Sequence, residues 1–112
     1  MYRKNICNAL GELSDIELQR QLWLSDGAGG ALVSSFTEVV EELFSDTGLD
    51  DALNAGTTGL DAETVKLLRS LRLAIDRVDN DHGPWQTIDD PNMVEVRSMA
   101  GKLLELLSSI EK

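Results

Sequence analysis

Apolar residues recur at intervals of three and four positions through most of the chain, and this spacing constrains the fold more than any other feature. No segment sustains the alternation of apolar and polar residues that marks a half-buried strand. Near the C-terminus, Asp90 at an N-cap position and Pro91 at a first helical position predict the start of a long helix. Its apolar stripe consists of Val96, Met99, Ala100, Leu103, Leu106, Leu107 and Ile110. The sequence therefore predicts an all-α fold, a compact bundle of four to five helices.

Two capping-box sequences predict helix starts in the first half of the chain. The first runs from Ser14 to Glu17, and with Gly11 just before it we expect a kink or break between a first and a second helix. The second runs from Ser35 to Glu38 and predicts a helix from Phe36 to about Ser45. At 100° per residue, this helix has its apolar residues on one side and its glutamates on the other.

Glycines and acids mark the later helices. Gly48 is expected to end the preceding helix, and a short helix is expected over 49–54. Asp61 is expected to cap a long helix from Ala62 to about Asp79. The stretch 80–89 is interpreted as a loop because it contains a Gly-Pro pair. The long helix has the predicted buried stripe Leu67, Leu68, Leu71, Ala74, Ile75 and Val78.

The chain has 112 residues, of which 42% are hydrophobic, and this suffices for one core. We therefore expect a single helical domain over 1–112. The single cysteine, Cys7, excludes an intramolecular disulfide, and no apolar run approaches the roughly 20 residues that cross a bilayer. These features predict a cytoplasmic protein that does not enter a membrane.

The residues that usually carry chemistry do not form a recognisable constellation. Cys7 and His82 stand alone without zinc-ligand spacing, and the calcium-like run that starts at Asp79 has Pro84 where the motif requires glycine. The glycines at 27, 29 and 30 match neither a dinucleotide fingerprint nor a phosphate loop. The sequence predicts no catalytic residues, no metal and no cofactor, and hence a binding protein that is not an enzyme.

Negative charge dominates the chain and is unevenly distributed. The 20 acidic residues outnumber the 10 basic ones, giving a net charge of -10, which makes nucleic acid an unfavourable direct ligand. Residues 25–64 contain nine acids and neither lysine nor arginine. Such a surface suits a basic protein partner, although a solvated helix face accounts for it equally well. The candidate partner-binding acids are Glu38, Glu41, Glu42, Asp46, Asp50 and Asp51.

The two tryptophans have different expected roles. Trp23 ends an amphipathic helix and is expected in the core. Trp85 lies in the Gly-Pro stretch between two long helices, where it either covers the core or anchors a partner. Trp85 is therefore added to the candidate partner-binding residues.

In size, charge, helix content and scarcity of cysteine, the whole chain resembles the small acidic helical immunity proteins that bacteria pair with toxic nucleases. Its only tyrosine is Tyr2, so the tyrosine pair of the colicin-type members has no counterpart, and the resemblance is to the broader immunity repertoire. The resemblance implies a tight complex with a basic toxin. In that complex the immunity protein would cover the toxin's nucleic-acid-binding surface, and the acids of residues 38–51 would take the place of phosphates.

Two other classes of function remain open on the sequence alone. One is a helical adaptor or regulatory domain, as a monomer or a homodimer, that binds through apolar surface around Trp85 or the exposed Val65 and Leu73. The other is a small enzyme or ligand carrier with a pocket lined by His82 and Trp85. The oligomeric state is not determined by these patterns.

Overall fold

The computed structural model describes residues 3–23, 35–79 and 84–110, without the side chains of residues 84, 109 and 110. Within these ranges the chain is all-α, and β-strands are absent, as predicted. None of the helices in this part is long and apolar enough to cross a membrane. The helices are α1 (Arg3–Ser14), α2 (Ile16–Trp23), α3 (Phe36–Glu41), α4 (Leu49–Ala55), α5 (Ala62–Asp76), α6 (Pro84–Asp89) and α7 (Pro91–Ile110).

The C-terminal helix α7 is the centre of the fold, because it packs against both α1 and α5. Its residues Val96, Ala100 and Leu103 are fully buried, as the apolar stripe predicted. Helix α1 buries Ile6, Ala9, Leu10 and Leu13, which lie on one face at helical spacing. Each fully buried leucine contributes roughly 1.5–3 kcal/mol relative to an exposed one, so these stripes are the main source of stability. Leu106, also in the predicted stripe, is 37% exposed.

The break between α1 and α2 lies at Asp15, and the predicted capping box at Ser14 is wrong in its capping residue. The Asp15 carboxylate accepts hydrogen bonds from the backbone N–H groups of Glu17 (2.9 Å) and Leu18 (3.3 Å). The Ser14 hydroxyl instead donates to the carbonyl of Gly11 (3.0 Å), and Ser14 is the last residue of α1, not the residue that precedes α2. Gly11 lies within α1 and does not interrupt it.

Helix α3 does not continue as an α-helix to Ser45, as the sequence predicted, but becomes a π-helical segment at Glu42–Asp46. The N–H of Thr47 donates to the carbonyl of Glu42, five residues back, at 3.2 Å. The Thr47 hydroxyl is buried and donates to the carbonyl of Leu43 at 2.6 Å. Gly48 follows with φ of 76°, the left-handed conformation expected of a helix stop.

Helix α5 begins as predicted at Asp61, whose carboxylate accepts a hydrogen bond from the N–H of Thr64 at 2.7 Å. Hydrogen bonding from the side chain and backbone of Thr64 lowers the pKa of Asp61. The helix ends at Asp76 rather than near Asp79, although Val78 is still buried.

The stretch predicted as a loop over 80–89 contains helix α6, so that prediction is wrong for residues 84–89. Thr87 and Ile88 are buried, which attaches α6 to the core. The Asp90 carboxylate accepts hydrogen bonds from the N–H groups of Asp79 (2.7 Å) and Asn92 (2.8 Å). It thereby caps α7 and holds the end of the α5 segment against it.

A buried polar contact joins the N-terminal and C-terminal parts of the fold. Gln19 has no exposed surface, and its amide N–H groups donate to the carbonyls of Glu12 (3.0 Å) and Leu13 (2.8 Å). Its amide oxygen accepts from Nε of Arg97 at 2.9 Å, and Arg97 also donates to the carbonyl of Ile88 at 2.6 Å. Burial, with a smaller effect of Arg20, lowers the pKa of Arg97.

Candidate protein-binding surface

Helix α3, the π-helical segment and α4 carry the six predicted acids, which we call the acidic surface: Glu38, Glu41, Glu42, Asp46, Asp50 and Asp51. The local sequence determines its position. The Ser35 hydroxyl accepts from the N–H of Glu38 at 3.1 Å and starts α3, while Phe36 and Val39 are buried on the opposite side. Asp50 and Asp51 lie in the first turn of α4, where negative charge interacts favourably with the helix dipole.

Most of the acidic surface is open to solvent. Glu38, Glu41, Asp46 and Asp51 are exposed, whereas Glu42 and Asp50 are partly buried. Within the described ranges, Asp50 alone among the six forms an ion pair, and its partner is Arg72 on α5. The expectation of a patch without compensating bases is therefore wrong at Asp50, because Arg72 neutralises it. The sequence could not show this pairing, since it gives no sign that α5 lies beside α4.

Arg72 also closes one side of a groove between the π-helical segment and α5. Its guanidinium carbon lies 5.1 Å from the centroid of the Phe44 ring, a cation–π distance. The groove has a volume of about 190 Å³, and Glu41 and Asp76 join Asp50 and Arg72 among its lining residues. The local charge of the groove is therefore negative even with Arg72 present.

The basic face of α5 reaches α4 but does not cover the acidic surface. Arg69 donates a hydrogen bond to the carbonyl of Leu53 at 3.0 Å, which leaves its charge near the end of α4. Lys66 and Arg77 are exposed, and Arg77 approaches Glu95 of α7 at 3.8 Å. Among these cations, none makes an ion pair with an acid of the acidic surface in the described part of the chain.

The predicted partner-binding residue Trp85 lies apart from the acidic surface, on α6, and is 61% exposed. It lines a cleft of about 380 Å³, which we call the Trp85 cleft, together with Asp79, Gln86, Asp89, Asp90 and Pro91. Hydrogen bonds from the N–H groups of Asp79 and Asn92 lower the pKa of Asp90. The sequence did not indicate that Asp79 and Asp89 border the same cleft, because the folding back of α6 brings them there.

The other apolar residues named from the sequence separate into buried and exposed. Trp23 is in the core, as predicted: its indole N–H donates to Glu12 at 2.8 Å and its ring meets Phe36 edge-on at 5.9 Å. Leu73 is 60% exposed, as expected. Val65, expected to be exposed, is partly buried against the core.

No three or more histidine, cysteine, aspartate or glutamate side chains are grouped to hold a metal ion in the portions that the structure covers. His82 and the glycines at 27, 29 and 30 lie outside the described residues, as does Asp26. Cys7 is partly buried beside the core on α1.

Comparisons of the chain with protein-family models, with curated proteins and with solved structures gave no match.

Proposed function

We propose that this protein binds a basic protein partner through the acidic surface and acts as an inhibitor of the immunity-protein type. The partner is a cationic toxin domain, in the simplest case a nuclease, and the complex forms in the cytoplasm. The observation that carries the proposal is the openness of the acids. Glu38, Glu41 and Asp46 are exposed, and they lack ion-pair partners in the described ranges.

The electrostatics of the acidic surface favour this function over a role in solubility alone. Glu41 and Glu42 follow Glu38 at intervals of three and four residues, across α3 and the first residue of the π-helical segment, so the three carboxylates lie on one side. Charges of one sign grouped in this way accelerate association with a partner of opposite sign, because they steer the diffusional encounter.

Inhibition follows from the chemistry of the surface that a nuclease presents. A protein that neutralises phosphates must present lysines and arginines, and these also bind carboxylates. An acidic surface docked on those residues occupies the place of the nucleic-acid backbone. The inhibitor therefore needs no catalytic residue.

A capture experiment with charge-matched variants tests the proposal. The wild-type protein, Glu38→Lys/Glu41→Lys/Glu42→Lys, and the control Glu17→Lys/Glu63→Lys/Glu105→Lys are immobilised and exposed to an extract of the source cells. Both variants change the net charge equally, but only the first alters the acidic surface. The expected result is a protein of basic isoelectric point that the wild type and the control retain and the first variant does not. Equal retention by both variants would reject the acidic surface as the site.

The exposed apolar side chains support an adaptor or regulatory domain as a second candidate. Trp85, Leu73 and Val94 are each about three-fifths or more exposed, at 61%, 60% and 65%. Association through such side chains responds weakly to salt, whereas association through carboxylates weakens as salt screens the charges. Capture that persists unchanged at high salt would favour this candidate.

A further inference from the structure

The indole of Trp85 is presented to solvent by a helix that is itself firmly attached. Its neighbours Thr87 and Ile88 are 1% and 2% exposed, so α6 is held against the core while Trp85 remains 61% exposed. Pro91 lines the same cleft. Val94 lies three residues further along α7, on the same side of the helix as Pro91, and extends the exposed apolar surface. Rigid, exposed aromatic side chains of this kind are the usual anchors of protein interfaces.

The rest of the cleft is acidic. Asp79, Asp89 and Asp90 line it, and the lining residues that the structure describes include neither lysine nor arginine. Asp90 is held ionised by the N–H groups of Asp79 and Asn92, and each of its oxygens retains a further lone pair. Asp89 acts electrostatically on Arg97, whose guanidinium is hydrogen-bonded to Gln19 and to the Ile88 carbonyl.

The combination of an indole face and carboxylates determines which occupant fits. A guanidinium is planar and weakly hydrated, so it stacks on an indole while its N–H groups donate to carboxylates. A lysine ammonium carries the same charge but is more strongly hydrated and does not stack. A second copy of this chain is disfavoured because each copy carries a net charge of -10.

We propose that the Trp85 cleft receives an arginine side chain of the partner, with its guanidinium stacked on Trp85 and hydrogen-bonded to Asp89 and Asp90. The cleft volume of about 380 Å³ lies within the range of small-molecule sites. This inference rests on the proposed function in one respect, namely that the partner is basic. It adds a second contact, separate from the acidic surface, that selects arginine.

The proposal is tested with a small probe, without the partner. The full chain, labelled with ¹⁵N, is titrated with N-acetyl-arginine-N-methylamide to about 0.1 M, a concentration that detects weak binding. The signals to follow are the Trp85 indole N–H and the backbone amides of 89, 90 and 92–95. The citrulline analogue, which has the same shape without the charge, is the ligand control, and sodium chloride controls for ionic strength.

We expect saturable shifts with the arginine probe and none with the citrulline analogue. Trp85→Ala and Asp89→Asn should each weaken binding about threefold or more, while Glu63→Gln, an exposed charge change on α5, should not. Equal shifts with citrulline, or equal weakening by Glu63→Gln, would overturn the proposal. Concentration-dependent shifts without probe would place a second copy in the cleft and would overturn it as well.

The acidic-surface variant separates this inference from the proposed function. Glu38→Lys/Glu41→Lys/Glu42→Lys should bind the arginine probe as the wild type does. Normal partner binding by that variant, together with normal probe binding, would reject the acidic surface but not the cleft. If the acidic-surface variant loses partner binding but the wild type does not bind the arginine probe, the cleft proposal is rejected and the acidic surface is not.

Discussion

Asp50 in the first turn of α4 forms an ion pair with Arg72 of α5, and the same guanidinium lies over the ring of Phe44. This contact fixes α4 and the π-helical segment against α5. It also divides the acidic surface, because Asp50 serves the fold while Glu38, Glu41 and Asp46 remain open to a partner.

The Arg72 contact should contribute measurably to stability. We expect Arg72→Ala to lower the free energy of unfolding by about 1 kcal/mol, since it removes a half-exposed ion pair and a cation–π contact. Lys66→Ala on the same helix is the control, and should change it by less than about 0.5 kcal/mol. Denaturant unfolding of Arg72→Ala, Asp50→Ala and the double variant Asp50→Ala/Arg72→Ala, compared with the wild type and the control, measures the coupling. Strictly additive effects of the two substitutions would show that the pair does not stabilise the fold.

Gln19 should be among the most sensitive polar positions. Gln19→Ala leaves the carbonyls of Glu12 and Leu13 and the Nε–H of Arg97 without their partner in a buried place. We expect a loss of about 2 kcal/mol or more in the free energy of unfolding. Gln21→Ala, on the exposed side of the same helix, should cost less than about 0.5 kcal/mol. Similar losses in the two variants would contradict the role assigned to Gln19.

Two glycine substitutions should have opposite signs. Gly11 lies within α1, and an added Cβ would meet no atom within 4 Å, so Gly11→Ala should stabilise the protein by about 0.5–1 kcal/mol. Gly48 has φ of 76°, so Gly48→Ala should destabilise it by about 1 kcal/mol. Thermal unfolding by circular dichroism compares the two. Destabilisation by Gly11→Ala would argue against a continuous α1.

The Asp90 cap should make stability depend on pH in the acidic range. Its folded pKa is lowered from the ordinary 3.8 by the N–H groups of Asp79 and Asn92. The carboxylate therefore stabilises the fold above about pH 4, and this contribution is lost as the pH falls through the lowered pKa. Asp90→Asn keeps one acceptor oxygen but no charge, as the protonated acid does. The difference in free energy of unfolding between the wild type and Asp90→Asn should be about 0.5–1 kcal/mol near pH 6 and shrink towards pH 2. A difference that stays constant with pH would contradict the assignment.

Local signals allowed much of the fold to be predicted. The caps at Asp61 and Asp90 contact backbone N–H groups two or three residues away, so sequence spacing identifies them. The apolar stripe of α7 repeats at helical spacing and is identified in the same way. The capping box at Ser14 failed because a neighbouring residue, Asp15, has an equally suitable side chain and better geometry. Helix α6 was missed because a Gly-Pro pair indicates a loop as readily as a helix start.

Contacts between distant segments were beyond the reach of sequence patterns. The pairing of Asp50 with Arg72 and the meeting of Asp79 with Asp89 in one cleft depend on how helices pack. The π-helical segment contains one extra residue in its turn. The Leu43 carbonyl in this segment accepts a hydrogen bond from the Thr47 hydroxyl. Helical periodicity identifies the faces of helices but not their neighbours.

The most direct test of the acidic surface is the dissociation constant of the complex with the captured basic partner, measured by calorimetry at low and high salt. For Glu38→Lys/Glu41→Lys/Glu42→Lys we predict a dissociation constant at least about a hundredfold higher at low salt, equivalent to about 2.8 kcal/mol. The wild-type complex should weaken as salt increases, and Glu17→Lys/Glu63→Lys/Glu105→Lys should behave like the wild type. A dissociation constant of the first variant within about twofold of the wild-type value, less than about 0.5 kcal/mol, would contradict the account.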